Sequence, residues 1–370
     1  TNKVKNQQDL VDDFVKDHMS KLFGNILVLQ GAVYFYSSLV KHYIYMDSEN
    51  FNLTVGKYYK ENLDIILKPQ DYKILLETFF IYSRIFSIDS AYPNFINYRL
   101  HSDNTYLNNI PIVFQNGTLY INEDLDFREN VFDPKDISLF ALQCDYSPDL
   151  LKEKEDSVVY DWFNTKLSES NLYFVQLFFG QLLVPAYNPS VMVTIYSYKG
   201  QTGKSTLADV LRKCFDNKVS TNIASLPLHK LSDRFGKDIL SKTLLNITTE
   251  LEDRVDHEVF KTVVAREEWM VDRKYGTPTY ERPISKHIAF SNDLPRISAD
   301  SGVGRRLAVF ELEPKKAMPE IESHIYARMF DDDYTSLITF MLQGLLELRS
   351  KGFFDLSNYY REHYKEAVED

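Results

Sequence analysis

The sequence has few cysteines and lacks several common signatures. Only two of its 370 residues are cysteines, Cys144 and Cys214. Two are too few for a disulfide framework and suggest no metal site, so we expect a reducing cytoplasmic compartment. No apolar run is long enough to span a bilayer and no signal peptide is visible, so we expect no membrane contact. The eight histidines never fall in a metal-ligand spacing such as H-E-x-x-H.

Positive charge is also scarce, since 53 acidic residues against 42 lysines and arginines give a net charge of -11. This balance argues against a protein coated in nucleic acid, because non-specific affinity comes from neutralising phosphates. It does not exclude a ring that presents cations only in its pore. Aromatic residues make up 14% of the chain and are spread along it, which favours core packing over a base-stacking surface. The chain begins with Thr1 rather than Met, so we expect it to be a piece of a longer protein.

Hydrophobic periodicity predicts a mainly helical N-terminal domain over residues 1–105. Its signals are an apolar helix over 74–86 and a helix face formed by Leu10, Phe14, His18 and Leu22. Residues 106–170 form a region before the core that contains a hairpin and a linker. There, Asn116 and Gly117 between two β-forming runs predict a hairpin with a type I′ turn. The stretch 150–169 is rich in charge and indicates a linker or a solvated helix.

Strands and helices alternate over residues 171–316, which we interpret as the core. A helix over 172–183 comes first, and strands are predicted over 191–197, 243–248, 286–291 and 307–312. Between them lie helices over 205–216 and 255–266 and a hairpin over 270–281. Strands interleaved with helices imply an α/β fold with a parallel sheet and crossover connections. Residues 317–370 are predicted to form a helical tail with one apolar face made of Leu337, Met341, Leu345 and Leu348.

A loop between the strand at 191–197 and the helix at 205–216 has the pattern of a phosphate-binding loop, and its residues are Gly200, Gln201, Thr202, Gly203, Lys204, Ser205 and Thr206. The glycines let backbone N–H groups turn toward phosphate oxygens, and the helix N-terminus adds its positive dipole end. We expect Lys204 to reach the β- and γ-phosphates of ATP and Ser205 to ligate Mg²⁺. The full pattern requires glycine at position 198, where this chain has Tyr198. The alternative is an ordinary βα turn that contains glycines.

Polar residues follow two of the other predicted strands. Glu250 comes just after the strand at 243–248, where we expect it to hold Mg²⁺ and orient the attacking water, with Glu252 as a second metal-side carboxylate. These acidic residues could instead cap the following helix. Asn292 follows the strand at 286–291, where an amide can bond both the γ-phosphate and the lytic water. The alternative for Asn292 is a turn that ends the strand.

These motifs in this order resemble those of superfamily 3 helicases, the viral and phage branch of the AAA+ ATPases, over residues 107–370. The loop at 200–205 resembles the Walker A motif, with Tyr198 for a usual glycine and Thr202 for a usual asparagine. Thr249-Glu250 resembles Walker B, Ser291-Asn292 resembles motif C with its sensor asparagine, and 271–274 resembles the B′ motif. The segment 304–312 resembles the one that carries the arginine finger, which maps to Arg306.

The resemblance implies an AAA+-type P-loop core and an ATP-dependent DNA helicase in phage, plasmid or viral replication. It implies a hexameric ring in the host cytoplasm that uses ATP and Mg²⁺ to translocate on single-stranded or forked DNA. Arg305 and Arg306 would complete the site of a neighbouring subunit, although both could be surface arginines beside a turn. An upstream primase or polymerase domain of the same polypeptide is also implied.

The hairpin at 269–281 would point into the pore of such a ring and contact DNA through Lys274, Arg273 and Tyr275. The alternative is an ordinary solvated hairpin. Two further classes of function stay open: a P-loop DNA motor or loader without unwinding activity, and an ATP-controlled origin-binding or assembly module.

Overall fold

The structure is a computed structural model that describes residues 6–29, 31–86, 94–98, 105–151, 158–185, 187–198, 202–216, 222–233, 236–249, 256–272, 278–293, 301–313 and 335–364. The predicted site residues Gly200, Gln201, Glu250, Glu252 and the hairpin residues 273–275 lie outside these ranges. Across the described part of the chain, no helix is both long enough and apolar enough to cross a membrane.

The chain begins with a helical segment whose buried face shifts partway along it. Helix α1 (Gln7–Asp13) continues through a π-helical stretch (Phe14–His18) into α2 (Met19–Phe23). Each π turn takes up one residue more than an α turn. The buried positions therefore run from Leu10 and Phe14 to Met19 and Phe23, whereas the predicted His18 and Leu22 are only partly buried.

The N-terminal region also contains a four-stranded sheet of order β3-β2-β1-β4, with elements β1 (Ile26–Leu29), β2 (Ala32–Ser37), β3 (His42–Tyr45), α3 (Ser48–Leu63), α4 (Pro69–Phe86) and β4 (Phe95–Tyr98). Strands β1 to β3 are antiparallel, and β4 pairs parallel with β1. The helix predicted over 74–86 is confirmed as part of α4, but a mainly helical description of 1–105 missed this sheet. Strand β1 is apolar and buried at every position, so it has no alternation by which a strand could be recognised.

The hairpin predicted around Asn116 is confirmed, but its turn type is wrong. A short helix α5 (Thr105–Asn108) precedes a three-stranded antiparallel sheet of β5 (Ile110–Phe114), β6 (Gly117–Ile121) and β7 (Asp126–Glu129). Gly117 already belongs to β6, and the two turn residues Gln115 and Asn116 have no positive φ, so the turn is not type I′. The Asn116 side chain instead bonds both backbone groups of Tyr146, at 3.0 and 2.8 Å.

The stretch 150–169, predicted to be a linker or a solvated helix, is packed into the core over part of its length. After a 3-10 turn (Pro148–Leu151), helix α6 (Val158–Asn164) buries Val158, Val159, Trp162 and Phe163. The charged residues 152–156, on which the prediction depended, lie outside the described residues. Helix α7 (Glu169–Gln181) follows and confirms the helix predicted over 172–183.

A five-stranded parallel sheet forms the centre of the molecule and has the order β14-β8-β13-β10-β9. Along the chain its elements are β8 (Met192–Tyr196), α8 (Lys204–Phe215), β9 (Ile223–Ala224), α9 (Gly236–Lys242), β10 (Leu245–Thr248), α10 (His257–Val264), β11 (Trp269–Val271), β12 (Thr279–Glu281), β13 (Lys286–Ser291), α11 (Ser301–Gly304) and β14 (Leu307–Glu311). The predicted parallel α/β sheet is confirmed, and β11 and β12 form the predicted separate hairpin.

Helices cover both faces of the central sheet. One face packs in a core with α7, α8 and the C-terminal helix α12 (Thr335–Ser350), and the other packs with α9, α10 and β11. A last helix, α13 (Leu356–His363), contacts β14. The predicted apolar face of the tail is confirmed, since none of its four side chains on α12 is exposed to solvent: Leu337, Met341, Leu345 and Leu348.

Candidate functional site: a lysine loop at the carboxyl edge of the sheet

The candidate site begins where β8 turns into α8. Gly203 has a φ of 86° and occupies the N-cap of α8, a left-handed conformation that glycine adopts without the steric cost of a side chain. Thr202 and Lys204 on either side of it are buried. Strand β8 thus ends at Tyr196 and the 12-residue helix α8 begins at Lys204, with residues 199–201 of the connection outside the described residues.

Lys204 is a buried cation held by neutral oxygens. Its Nζ donates to Thr202 Oγ1 at 3.0 Å and to the carbonyl oxygen of Ser197 at 3.5 Å. Burial lowers the pKa of the Lys204 ammonium group below its usual range, because the charged form loses hydration. An ammonium group at a helix N-terminus, without a carboxylate among its described contacts, is an environment that favours an anion.

The next two residues of the loop lie on the first turn of α8. Ser205 is exposed and Thr206 is half-buried, so the hydroxyl of Ser205 lies at the surface beside the buried Lys204. The role of Ser205 as a ligand of Mg²⁺ stays a prediction.

The strand that precedes Asn292 lies directly beside the lysine loop. Strand β13 pairs with β8, and the backbone N–H of Ser197 donates to the carbonyl of Ser291 at 3.1 Å. Ser197 thus contacts both Lys204 and the end of β13. Asn292 follows as an exposed residue at the same edge of the sheet. Asn292 thus comes one residue after the carbonyl that accepts from Ser197, and its catalytic role stays a prediction.

The strand that precedes Glu250 is the next one across the sheet. Strand β10 pairs with β13, and its end is fixed by side chains that bond the backbone of Leu226. Asn246 bonds both backbone groups of Leu226, and Thr248 Oγ1 donates to the same carbonyl at 3.1 Å. Carboxyl ends of parallel strands meet at one edge of a sheet, so residue 249, which is exposed, leaves the sheet on the side of the lysine loop. Glu250 and Glu252 follow, outside the described residues.

Arg305 and Arg306 lie at the opposite edge of the sheet. They precede β14, whose first residue pairs with Met192 at the start of β8, and the backbone N–H of Met192 donates to the carbonyl of Arg306 at 2.7 Å. Arg305 is exposed, while Arg306 is partly exposed and donates through Nη1 to the carbonyl of Gly302 at 2.9 Å. The five residues of β8 span about 16 Å at 3.3 Å each. Within one chain, therefore, the two arginines and Lys204 face different edges.

The hairpin of β11 and β12 has one buried and one exposed face. Trp269, Val271 and Glu281 are buried, whereas Met270 and Tyr280, which are paired across the two strands, are 48% and 66% exposed. Exposed large apolar side chains opposite each other form a small apolar surface. The predicted DNA-binding residues Lys274, Arg273 and Tyr275 come between these two strands in the sequence and lie outside the described residues.

Sequence reasoning missed several residues that the structure places at these sites. Ser197 contacts Lys204 through a backbone carbonyl, which no sequence pattern can reveal. Met270 and Tyr280 could have been found from the two-residue alternation of their strands. Tyr198, which the sequence marks only as a departure from the loop pattern, is 61% exposed. Its ring packs edge-on against that of Tyr196, with 5.4 Å between the ring centroids.

Comparisons with known proteins give a partial match. No curated protein matches the sequence. The profile of DUF5906, a family of unknown function, matches residues 195–306, from β8 to Arg306. Among solved structures, the apo C-terminal region (305-718) of NrS-1 has a TM-score of 0.49 and 14% identity, over 100% of this chain and 76% of that chain. The A form of the apo C-terminal region has a TM-score of 0.41 and 15% identity, over 68% and 69%.

Proposed function

We propose that this chain is the ATP-hydrolysing module of a DNA helicase, with an AAA+-type P-loop core of the superfamily 3 kind. In this proposal it forms a hexameric ring that translocates on single-stranded or forked DNA during phage, plasmid or viral replication, joined to an upstream primase or polymerase domain. The observation that carries the proposal is the position of Lys204, a buried ammonium group at the N-terminus of α8 with two neutral oxygens as partners.

The residues at this corner fit a nucleoside triphosphate. An anion at the N-terminus of α8 would supply the negative charge that the described partners of Lys204 lack, and the helix dipole favours the same charge. Ser205 and Glu250, with Glu252, would hold Mg²⁺, which neutralises charge on the phosphates when bound. The loop residues 200–203 would contribute backbone N–H groups to the phosphate oxygens.

The order of the strands supports the assignment of the hydrolytic residues. Strand β13 lies between β8 and β10, so the chain leaves the sheet toward Lys204, Asn292 and Glu250 from three neighbouring strands. An acidic group that orients water and an amide that bonds the γ-phosphate must both lie within a few ångströms of the bound nucleotide. Neighbouring strand ends bring such groups together without long side chains.

The location of Arg305 and Arg306 supports a role between subunits. The two arginines are at the amino edge of the sheet, at the other end of β8 from Lys204 of the same chain. In the proposed ring they lie against the lysine loop of the neighbour and stabilise charge that develops on the transferred phosphoryl group. Hydrolysis would then depend on assembly.

The proposal is tested by DNA-stimulated ATP hydrolysis in Lys204→Ala. We expect the rate to fall by roughly a hundredfold or more, because the cation nearest the phosphates is lost. Lys213→Ala is the matched control, since Lys213 is an exposed lysine on the last turn of the same helix, and it should hydrolyse ATP as the wild type does. Activity of Lys204→Ala near that of the control would refute the assignment.

Strand displacement on a forked duplex then separates the classes of motor. Displacement that needs ATP and is lost in Lys204→Ala supports the helicase. ATP hydrolysis without displacement would instead indicate a DNA motor or loader, and sequence-specific duplex binding without translocation would indicate an origin-binding or assembly module. Particle mass with ATP and single-stranded DNA tests the hexamer directly.

A further inference from the structure

The turn between β1 and β2 in the N-terminal sheet contacts the hairpin of β11 and β12. Gly31 in this turn has a φ of +88°, and a Cβ added to it would lie 2.5 Å from the carbonyl oxygen of Tyr280 and 3.5 Å from Cα of Glu281. A side chain at position 31 therefore has no room, and glycine permits both the backbone conformation and the close approach. The contact joins segments separated by about 250 residues.

The same turn is tied to the helical layer behind it. Arg84 on α4 donates through Nη2 to the carbonyl oxygen of Gly31 at 2.9 Å. Arg84 is partly buried, so this charge-assisted bond is shielded from water on one side. Gly31 thus accepts a hydrogen bond from α4 on one side and packs against β12 on the other.

A second connection reaches β11 by way of α9. The hydroxyl of Tyr34 on β2 donates to the carbonyl of Ser241 on α9 at 3.3 Å. Helix α9 contacts β11, and the Nζ of Lys237 on this helix lies 5.6 Å from the ring centroid of Trp269. The N-terminal sheet therefore supports both strands of the hairpin, β12 by direct contact and β11 through α9.

The hairpin needs such support because its own pairing is small. It consists of two strands of three residues each and forms a sheet of its own, unpaired with any other strand of the described chain. An isolated two-stranded hairpin is marginally stable in water at best. Its position is thus set by what it packs against, and the turn at Gly31 is one such contact on β12.

We propose that the N-terminal sheet positions the β11–β12 hairpin, with Gly31 as the positioning residue and Arg84 holding the turn in place. The N-terminal region, to which the sequence assigns no chemistry, thereby orients β11 and β12, the strands that flank in sequence the segment 273–275 predicted to contact DNA. That this segment contacts DNA rests on the proposed function. The mechanical coupling rests only on the contacts of Gly31, Arg84 and Tyr34.

The test compares two glycines that differ in what surrounds them. Gly31→Ala places a methyl group against Tyr280, whereas Gly24→Ala, at a φ of +59° just before β1, meets nothing within 4 Å. Both variants place a side chain at positive φ, and they differ in whether that side chain meets the hairpin. We expect amide hydrogen exchange in β11 and β12 to become roughly tenfold faster or more in Gly31→Ala and to stay unchanged in Gly24→Ala.

A second variant protects the test against simple misfolding. Arg84→Met keeps an unbranched apolar stem and removes the donor to Gly31, so it should also speed exchange in the hairpin, by less than Gly31→Ala. Exchange in β13 and β14 of the central sheet serves as the internal reference and should stay at the wild-type rate in all three variants. Equal hairpin exchange in Gly31→Ala, Gly24→Ala and the wild type overturns the proposal.

The consequence for DNA is measured separately on the same variants. With the central sheet intact, Gly31→Ala should keep the ATPase rate measured without DNA and lose most of the stimulation by single-stranded DNA. If amide exchange in the hairpin becomes faster while single-stranded DNA still stimulates the ATPase rate fully, the positioning role is overturned. Hydrogen exchange needs neither ATP nor DNA, so a wild-type protein without DNA-stimulated ATPase would sink the proposed function while the exchange result still decides the coupling.

Discussion

Gly180 and Gly344 bring helices α7 and α12 into backbone contact. A Cβ on Gly180 would overlap the backbone of Gly344 and Leu345, and a Cβ on Gly344 would overlap the carbonyl group of Gln176. Helices α7 and α12 therefore approach each other too closely at these two positions for any side chain to fit between them. Close packing of this kind leaves no space into which an added methyl group could move.

Replacing either glycine should destabilise the protein. We expect Gly180→Ala and Gly344→Ala each to lower the free energy of unfolding by about 1–3 kcal/mol, because the methyl group meets backbone that cannot rotate away. Gly304→Ala is the control, since its Cβ would meet nothing within 4 Å. The measurement is urea unfolding at equilibrium, and an unchanged midpoint in Gly344→Ala would contradict the close approach of the two helices.

The two arginines should act on the nucleotide of a neighbouring subunit. Arg306→Ala should abolish hydrolysis and keep ATP binding, because the residue lies at the edge of the sheet away from Lys204. When this variant is mixed with Lys204→Ala, some junctions combine an intact lysine with an intact arginine, so part of the ATPase rate should return. Mixed particles of ring size without any recovered rate would argue against action between subunits.

The exposed face of the hairpin should bind single-stranded DNA under the proposed function. Tyr280→Ala should weaken binding by about 1–3 kcal/mol, as expected for the loss of one base-stacking ring. Tyr280→Trp should retain affinity, and Leu39→Ala, which removes another exposed apolar side chain, should have no effect. Fluorescence anisotropy with labelled oligothymidine measures this change in affinity.

Lys274→Ala should keep basal ATPase and lose unwinding. Unwinding equal to that of the wild type would exclude a role for Lys274 in the hairpin.

Two buried histidines should make the fold sensitive to acid. Burial lowers the pKa of His42 to about 4 and that of His287 to about 3, with nearby Arg266 adding to the effect on His287. Histidines in the unfolded chain titrate near pH 6.5, so below that pH the unfolded state binds more protons at these positions than the folded state does. Stability present above pH 6.5 is therefore lost as the pH falls toward 4, by about 3 kcal/mol for each residue.

His287→Leu isolates this effect, because neither ring nitrogen of His287 has a hydrogen-bond partner among the described residues. The variant should be no less stable than the wild type at pH 7 and should lose less stability between pH 6.5 and 4. His363→Gln, which changes an exposed histidine, serves as the control. Chemical unfolding over this pH range measures both, and parallel curves for His287→Leu and the wild type would disprove the assignment.

Much of the central sheet could be predicted from the sequence because its strands are apolar runs bounded by turn signals. The strand at 286–291 was predicted to the residue, and the lysine loop lies at the predicted corner of β8 and α8. Strand order could not be predicted in this way, because pairing of β13 between β8 and β10 depends on contacts between residues distant in sequence. The same applies to the contact of Gly31 with β12.

Local patterns failed where a tertiary contact or a local irregularity decided the conformation. The π-helical stretch at Phe14–His18 moves the buried face by one residue, which an assumed period of 3.6 does not allow. At Asn116 the side chain bonds Tyr146, 30 residues away, so the turn is shaped by this partner rather than by the preference of an Asn-Gly pair. The charged run at 152–156 predicts a solvated stretch, but the apolar residues that follow it form α6 and are buried.

Placing Lys204 and Arg306 at opposite edges of one sheet has an arithmetic consequence for the proposed assembly. A head-to-tail row of subunits has one completed junction fewer than it has members, with an idle lysine loop at one end and idle arginines at the other. Closing the row into a ring completes every junction. A ring that opens at one junction to admit a DNA strand would therefore be unable to hydrolyse ATP at that junction for as long as it stays open.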